Sequence, residues 1–173
     1  GDDAALVDER GETTWADFDE RTNRLIHGLR DAGVPPGATV ALMSGNRREL
    51  FEATAACGHA GWLIVPVNWH WTADELAYVL DDSDAVALLV EDQFAQVAVD
   101  AFADQKTSRC TTRVVVGDEV PVPDGFLAYE ELLAAASPDE PDEQAMGGPM
   151  FYTSGTTGFP KGVKGSLAQA GAP

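Results

Sequence analysis

Apolar positions switch between two spacings along the chain, and the switching predicts a fold class. Trp15, Phe18, Thr22, Leu25, Ile26 and Leu29 recur three, four and seven apart, which places them on one helix face. Thr14 precedes them as an N-cap with Asp17 at the third helical position, and Gly33 and Pro35 stop the run. A helix over residues 15–31 is expected. "ATVALM" (38–43) then reads as a short strand, and "SGN" turns into a second helix from Arg47 to about Ala60, with Asn46 as cap and Glu49 three residues on. "WLIVPV" (62–67) is almost continuously apolar, the pattern of a strand covered on both faces.

Thr72 and Glu75 repeat the capping-box pattern and open a helix to about Asp82. "AVALLVE" (85–91), a helical stretch over 92–104, "RVVVG" (113–117) and a short helix in "YEELLAAAS" (129–137) continue the alternation. Strands alternating with helices predict an α/β fold with a mainly parallel sheet flanked by helices and joined by right-handed crossovers. "PDEPDEQAMGGP" (138–149) has no periodic apolar pattern and reads as a connector. The expected division is an α/β subdomain over 1–137, a linker over 138–149 and a loop segment over 150–173.

Composition narrows the functions. The chain has 173 residues and is 45% hydrophobic, enough for one core. A net charge of −18 opposes attraction to nucleic acid and to anionic lipid surfaces; it also favours solubility. Cys57 and Cys110 lie far apart without a CxxC spacing, so neither a disulfide framework nor a zinc site is expected, and a reducing cytoplasm is the default. No apolar run approaches the roughly 18 residues that span a bilayer.

One stretch departs from this acidic background. "FYTSGTTGFPKGVKG" (151–165) gathers four glycines, five hydroxyl side chains and two of the chain's three lysines. No Asp or Glu occurs after Glu143, although the overall density of 29 in 173 would put about five in the last 30 positions. Glycines let backbone amides approach an anion closely, and Ser and Thr hydroxyls add rotatable donors. Pro160 stiffens the loop's exit, and Lys161 adds a mobile point charge. Neither Gly155 nor Gly158 satisfies the Walker A register GxxxxGK[ST], and the dinucleotide fingerprint GxGxxG is absent. The loop is therefore expected between two strands, 150–153 and 162–165; the competing reading is a Gly/Thr hairpin without a ligand.

Other chemistry-bearing residues point elsewhere. Cys57 and His59, two apart on a helix, face different ways, which favours core packing over metal binding. His27 falls on a polar helix face. Trp69, His70 and Trp71 follow the end of an apolar strand, where open α/β sheets bind ligands, although aromatic packing of a turn is favoured there. "DDSD" (81–84) reads as a solvated helix end.

"YTSGTTGFPKGV" resembles the phosphate-loop signature of the adenylate-forming superfamily, which includes acyl-CoA synthetases, luciferases and peptide-synthetase adenylation domains. The resemblance runs through the chain: "TTWADFDERTNRLIHGLRDAGVPPGATVALMSGN" is similar to the family's opening helix and strand, and "GHAGWLIVPVNWHWTADELAYVLDDSDAVALLV" to its next segment. Pro66, Val67 and Asn68 fall where the family carries its second recurrent motif. "VNWHWTADEL" together with "KGVKGSLAQAGAP" most resembles bacterial acyl-CoA synthetases.

The resemblance implies a two-step ligase. A carboxylate attacks the α-phosphate of ATP to give an acyl adenylate and pyrophosphate, and coenzyme A then attacks the acyl carbon. By residue, Thr153, Ser154, Thr156 and Thr157 would donate to the β- and γ-phosphates, Gly155 and Gly158 would permit the approach, and Lys161 would supply charge. ATP, magnesium and coenzyme A are implied for the complete protein, with a fatty or other organic acid as substrate, and a homodimer stays open. The family's adenine, magnesium and acyl-pocket motifs and its catalytic lysine lie beyond this loop. The chain is thus expected to be an amino-terminal fragment without catalytic or metal-binding residues of its own, inactive alone. A noncatalytic nucleotide-binding or interaction module, or an amino-acid adenylation domain, are the alternative readings.

Overall fold

The computed structural model describes residues 1–8, 10–103, 109–153 and 161–164. An antiparallel hairpin, β1 (Ala4–Asp8) and β2 (Gly11–Thr14), comes first. The apolar pattern did not announce it, because these short strands are mostly solvent-facing. Helix α1 (Trp15–Asp31) begins at the expected capping box: Thr14 Oγ1 accepts the Asp17 amide at 3.1 Å, and the Asp17 carboxylate accepts the Thr14 amide at 3.4 Å. At its far end Gly33 takes φ +97°, a conformation open to glycine without a Cβ clash. There its amide reaches the Arg30 carbonyl at 2.9 Å and the Val34 amide reaches Leu29 at 3.0 Å, closing the helix in a left-handed exit.

Strand β3 (Thr39–Met43), α2 (Arg48–Ala60), β4 (Leu63–Val67), α3 (Ala73–Asp82) and β5 (Ala85–Glu91) follow close to their expected bounds. The cap of α2 differs. Arg47, not Asn46, holds the N-cap position, and it makes no side-chain cap bond. Glu49, expected to close a capping box, instead receives Arg47 Nε at 2.7 Å and Nη2 at 3.2 Å. A charge-assisted pair of this kind outweighs a neutral cap. The expected helix over 92–104 divides into a single 3-10 turn (Asp92–Phe94) and α4 (Ala95–Ala103). Asp92 sits at the junction with its carboxylate on the amides of Gln93 (2.8 Å) and Glu119 (2.7 Å). The chain continues through β6 (Thr112–Val116), β7 (Leu127–Ala128), α5 (Tyr129–Ala135), β8 (Gly148–Thr153) and β9 (Lys161–Lys164).

The main sheet runs β7-β6-β5-β3-β4-β8-β9 and is parallel except for the final β8–β9 pair. This is the expected α/β class. All five residues of β3 are buried, and alternate side chains feed two cores. Val40 and Leu42 join Leu25, Ile26, Leu29, Ala53, Ala56 and Trp62 under α1, α2 and α5. Ala41 and Met43 join Val65, Leu76, Leu80, Val90 and Ala98 under α3 and α4. The small residues of α2 bring it close to the sheet, as their size permits.

The segment 138–149 first follows the polar face of α1 and from Ala145 onward bonds to the end of α2, Trp62 and β4. Asn23 Nδ2 donates to the Pro138 carbonyl at 3.2 Å, Arg30 Nη2 to Glu143 at 2.5 Å, and His27 Nε2 stands 3.1 Å from the Asp139 carbonyl. Within this segment Gly148 and Pro149 pair with Leu63 and Ile64 of β4.

Candidate functional site

Strands β8 and β9 form an antiparallel stem in which Met150, Phe151, Tyr152 and Thr153 face Lys164, Val163, Gly162 and Lys161 in turn. Opposed Cα atoms of such a ladder stand roughly 5 Å apart. Thr153 and Lys161 are thus brought together. Ser154, Gly155, Thr156, Thr157 and Gly158, the heart of the expected phosphate loop, lie outside the described residues, as does Pro160. Lys161 is exposed at the mouth of the stem. Because β8 runs parallel to β4, the stem opens at the carboxyl edge of the sheet, the edge where open α/β folds bind ligands.

The stem is rooted by backbone. The Gly147 amide donates to the Gly58 carbonyl at 2.8 Å, Gly148 to Trp62 at 3.1 Å and Ala145 to His59 at 3.0 Å. Trp62 is wholly buried and its Nε1 donates to the Pro35 carbonyl at 2.8 Å. That bond satisfies the one polar atom of the indole, so a large side chain can root the site in the core. Side chains alternate beyond it: Met150 is buried and Tyr152 half-buried against the α3/α4 core, while Phe151 and Val163 are each 52% exposed on the opposite face.

Tyr152 reaches further than its motif suggested. Its hydroxyl donates to Asp82 Oδ2 at 2.7 Å. Burial, together with that carboxylate, raises the Tyr152 phenol above its ordinary value, so it remains a donor. Asp82 was legible only as part of a solvated helix end. Nothing in its local sequence marks it as the partner of a residue 70 positions later.

The same edge carries other candidates. Trp71 packs against the α3/α4 core, while Trp69 is 44% exposed and stacks on Phe94 at 5.6 Å between centroids. Asn68 folds this turn, accepting the His70 amide on Oδ1 and the Trp71 amide on its carbonyl, each at 3.0 Å. Beyond β3 and β5, neighbours whose connections leave in opposite directions, lies a cavity of about 480 Å³ lined by Arg10, Arg47, Glu49, Glu91, Asp92 and Glu119 among others. Its charges hold one another: Arg47 lies 2.7 Å from Glu49 and 3.5 Å from Glu91, and Arg10 3.6 Å from Glu49. Burial pushes Glu49 up, but the Arg47 hydrogen bonds, a backbone amide and the Arg47 and Arg10 charges together outweigh it, and the carboxyl stays below its usual range.

Cys57 is buried, its thiol pushed up to about 12 by that burial, and His59 points to solvent. They do not form a pair. Among the described residues no group of three or more His, Cys, Asp and Glu side chains is placed to hold a metal ion, and no helix is long and apolar enough to cross a membrane.

Comparison with known proteins agrees with this architecture. The chain is 37% identical over 164 residues to the 3-oxocholest-4-en-26-oate–CoA ligase of Rhodococcus rhodochrous, covering 92% of this chain and 29% of that protein. It is 37% identical over 152 residues to the long-chain-fatty-acid–CoA ligase of Thermus thermophilus, covering 87% of this chain and 27% of that one. The chain therefore spans under a third of the length of these relatives. A crystal structure of an anthranilate–CoA ligase in complex with anthranoyl-AMP superposes with a TM-score of 0.84 at 23% identity, over 93% of this chain and 31% of that one, which establishes a shared fold. Residues 1–170 match the AMP-binding enzyme family, and the chain belongs to it.

Proposed function

We propose that this chain is the amino-terminal part of an ATP-dependent acyl-CoA synthetase, and that residues 153–158 with Lys161 hold the β- and γ-phosphates of ATP. One observation carries the reading: Thr153 and Lys161 are ladder partners at the carboxyl edge of the sheet. In the sequence these two partners flank "SGTTGFP", with its hydroxyls and glycines, and Lys161 is exposed. Support comes from relatives whose names describe acid–CoA ligases.

The chemistry follows from the donors. When a carboxylate oxygen bonds to the α-phosphorus, the bond from that phosphorus to the α,β-bridging oxygen breaks, and pyrophosphate leaves with that oxygen and its added negative charge. The hydroxyls of Thr153, Ser154, Thr156 and Thr157, the loop amides and the Lys161 ammonium would meet that charge with charge-assisted hydrogen bonds. Their contribution is positional and electrostatic, with no covalent step on the protein. Magnesium, which the resemblance implies, finds no ready set of ligands among the described residues, and no step is assigned to it. The thiol acceptor is read as coenzyme A and the acid as a fatty or other organic carboxylate. The 173 residues alone are expected to bind ATP weakly and not to turn over.

Carboxylate-dependent ATP–pyrophosphate exchange by the intact gene product tests the assignment. Lys161→Ala should slow exchange on the order of tenfold to a hundredfold, the worth of one charged hydrogen bond, while folding is retained because the residue is exposed. An unchanged exchange rate would remove Lys161 from the site. Calorimetry giving micromolar ATP affinity for the 173-residue chain would contradict the half-site reading.

A further inference from the structure

Tyr152, with Met150, packs the stem of the loop against the α3/α4 core. Its ladder partner is Gly162, where a Cβ would stand 3.1 Å from Tyr152 Cζ, 3.2 Å from its hydroxyl and 2.4 Å from Met150 Cε. Glycine leaves room there rather than serving backbone conformation: the phenol lies across β9 close to the volume a side chain would fill. From that position the hydroxyl meets Asp82 Oδ2 at 2.7 Å on the last residue of α3. The other oxygen of Asp82 faces the Tyr78 hydroxyl at 3.5 Å. A phenol on a carboxylate at this distance is a charge-assisted bond, stronger than a neutral one.

The sheet gives the stem little other support. Pairing between β8 and β4 covers Leu63–Gly148 and Ile64–Pro149, and β9 is the edge strand. Past Pro149 the two strands of the stem have each other as sheet neighbours, and Thr153 and Lys161 stand at their free end. Any tilt of the stem moves both ends of the loop together.

We propose that Asp82, acting through Tyr152 and the space left by Gly162, is a positioning residue that sets the angle of the stem and so the placement of the phosphate loop. The inference rests on the reading of that loop as the ATP phosphate site. Neither Asp82 nor Tyr152 touches phosphate in this scheme. Displacement of donors by about 1 Å can cost about a hundredfold in rate, so a single hydrogen bond outside the loop has leverage over it.

The test is a double-variant cycle in the intact gene product, read by ATP–pyrophosphate exchange. Tyr152→Phe keeps the ring and its apolar contacts, which protects folding, and Asp82→Asn removes the charge. Each single change is expected to raise KM for ATP about tenfold without altering KM for the carboxylate. The double variant should be no worse than either single, and Asp82→Glu should recover most of the loss. Unchanged KM for ATP in both single variants, or losses that multiply in the double, would overturn the proposal. Lys161→Ala separates the two readings. If it slows exchange while Tyr152→Phe and Asp82→Asn do not, the positioning role fails and the phosphate site stands; if all three are silent, both fail.

Discussion

Arg21 and Glu52 join the first two helices through an ion pair whose acid has no exposure at all. Arg21 Nε donates to Glu52 Oε1 at 2.6 Å and Nη2 to Oε2 at 3.3 Å. The same guanidinium reaches Glu130 on α5 at 2.7 and 3.0 Å. Tyr129, itself buried, donates its hydroxyl to Glu52 Oε2 at 2.7 Å, and burial with the neighbouring Glu52 charge pushes that phenol up. One arginine thus ties α1 to α2 and α5, and the buried carboxylate has its oxygens occupied.

Removing the cation should cost more than removing the pair. Arg21→Leu leaves a buried carboxylate without a compensating charge, and a loss of about 3 kcal/mol is expected. Arg21→Leu combined with Glu52→Leu should recover part of that loss despite the Tyr129 hydroxyl left without its acceptor. Urea denaturation of the three proteins measures both quantities. A double variant less stable than Arg21→Leu would contradict the account.

Acid should detach the first hairpin through Asp8. Hydrogen bonds from Arg48, at 2.8 Å from Nε and 2.5 Å from Nη2, lead the causes that hold the Asp8 carboxyl at about 2 instead of 3.8. A folded value below the unfolded one means the contribution is full above pH 3.8 and disappears as pH falls through about 2. The pair is partly exposed, so about 1 kcal/mol is expected at neutral pH. Asp8→Asn should show that deficit at pH 6, with parent and variant converging over the acid window. A deficit that persists unchanged at the acid end would rule out the ion pair as its source.

Helix caps offer a matched comparison. Thr72 Oγ1 accepts the Glu75 amide at 3.4 Å and the Thr72 amide donates to Glu75 Oε2 at 2.8 Å, whereas no side chain caps α2. Thr72→Ala should lose about 1 kcal/mol, and Asn46→Ala less than about 0.5 kcal/mol. Thermal melts resolve the difference, and equal losses would mean the local sequence pattern, not the observed bond, decides.

Thr14, Asp17, Thr72 and Glu75 were readable in the sequence because a capping box is a local device: its partners sit three residues apart, so spacing alone carries it. The central strands were readable because burial on both faces leaves nearly unbroken apolar runs. Asn46 misled because Arg47 offered Glu49 a stronger bond than a cap amide could. The hairpin of β1 and β2 and the two-residue β7 escaped because short strands at an edge are held by backbone pairing, which imposes little pattern on side chains.

At the candidate site the split is the same. "TSGTTG" carries the expectation of an anion loop because amides, hydroxyls and a lysine are clustered in the chain itself. Asp82, Trp62 and Gly58 could not be read as its supports. Each is distant in sequence, and each acts by closure of the fold: Asp82 through its side chain, Gly58 and Trp62 through backbone carbonyls that any residue could present.

Two glycines near that root should respond in opposite directions to alanine. At Gly147 a Cβ would stand 2.0 Å from the Cys57 carbonyl oxygen, 2.3 Å from the Trp62 oxygen and 2.8 Å from the Trp62 nitrogen. All three are backbone atoms, which no rotamer change can move aside. Gly147→Ala must therefore push 147 away from α2, breaking the bond from its amide to Gly58 (2.8 Å) and straining Gly148 against Trp62. A loss of about 3 kcal/mol is expected. Gly58 lies inside α2 with nothing within 4 Å of the place an added methyl group would take, so alanine there should gain about 0.5–1 kcal/mol by restricting the unfolded chain. Urea midpoints measure both. Because β8 begins at Gly148, Gly147→Ala should also raise amide exchange at Met150, Phe151 and Tyr152 while leaving β3 protected. Uniform exchange across both strands would show that the root of the loop stem is not a separate local support.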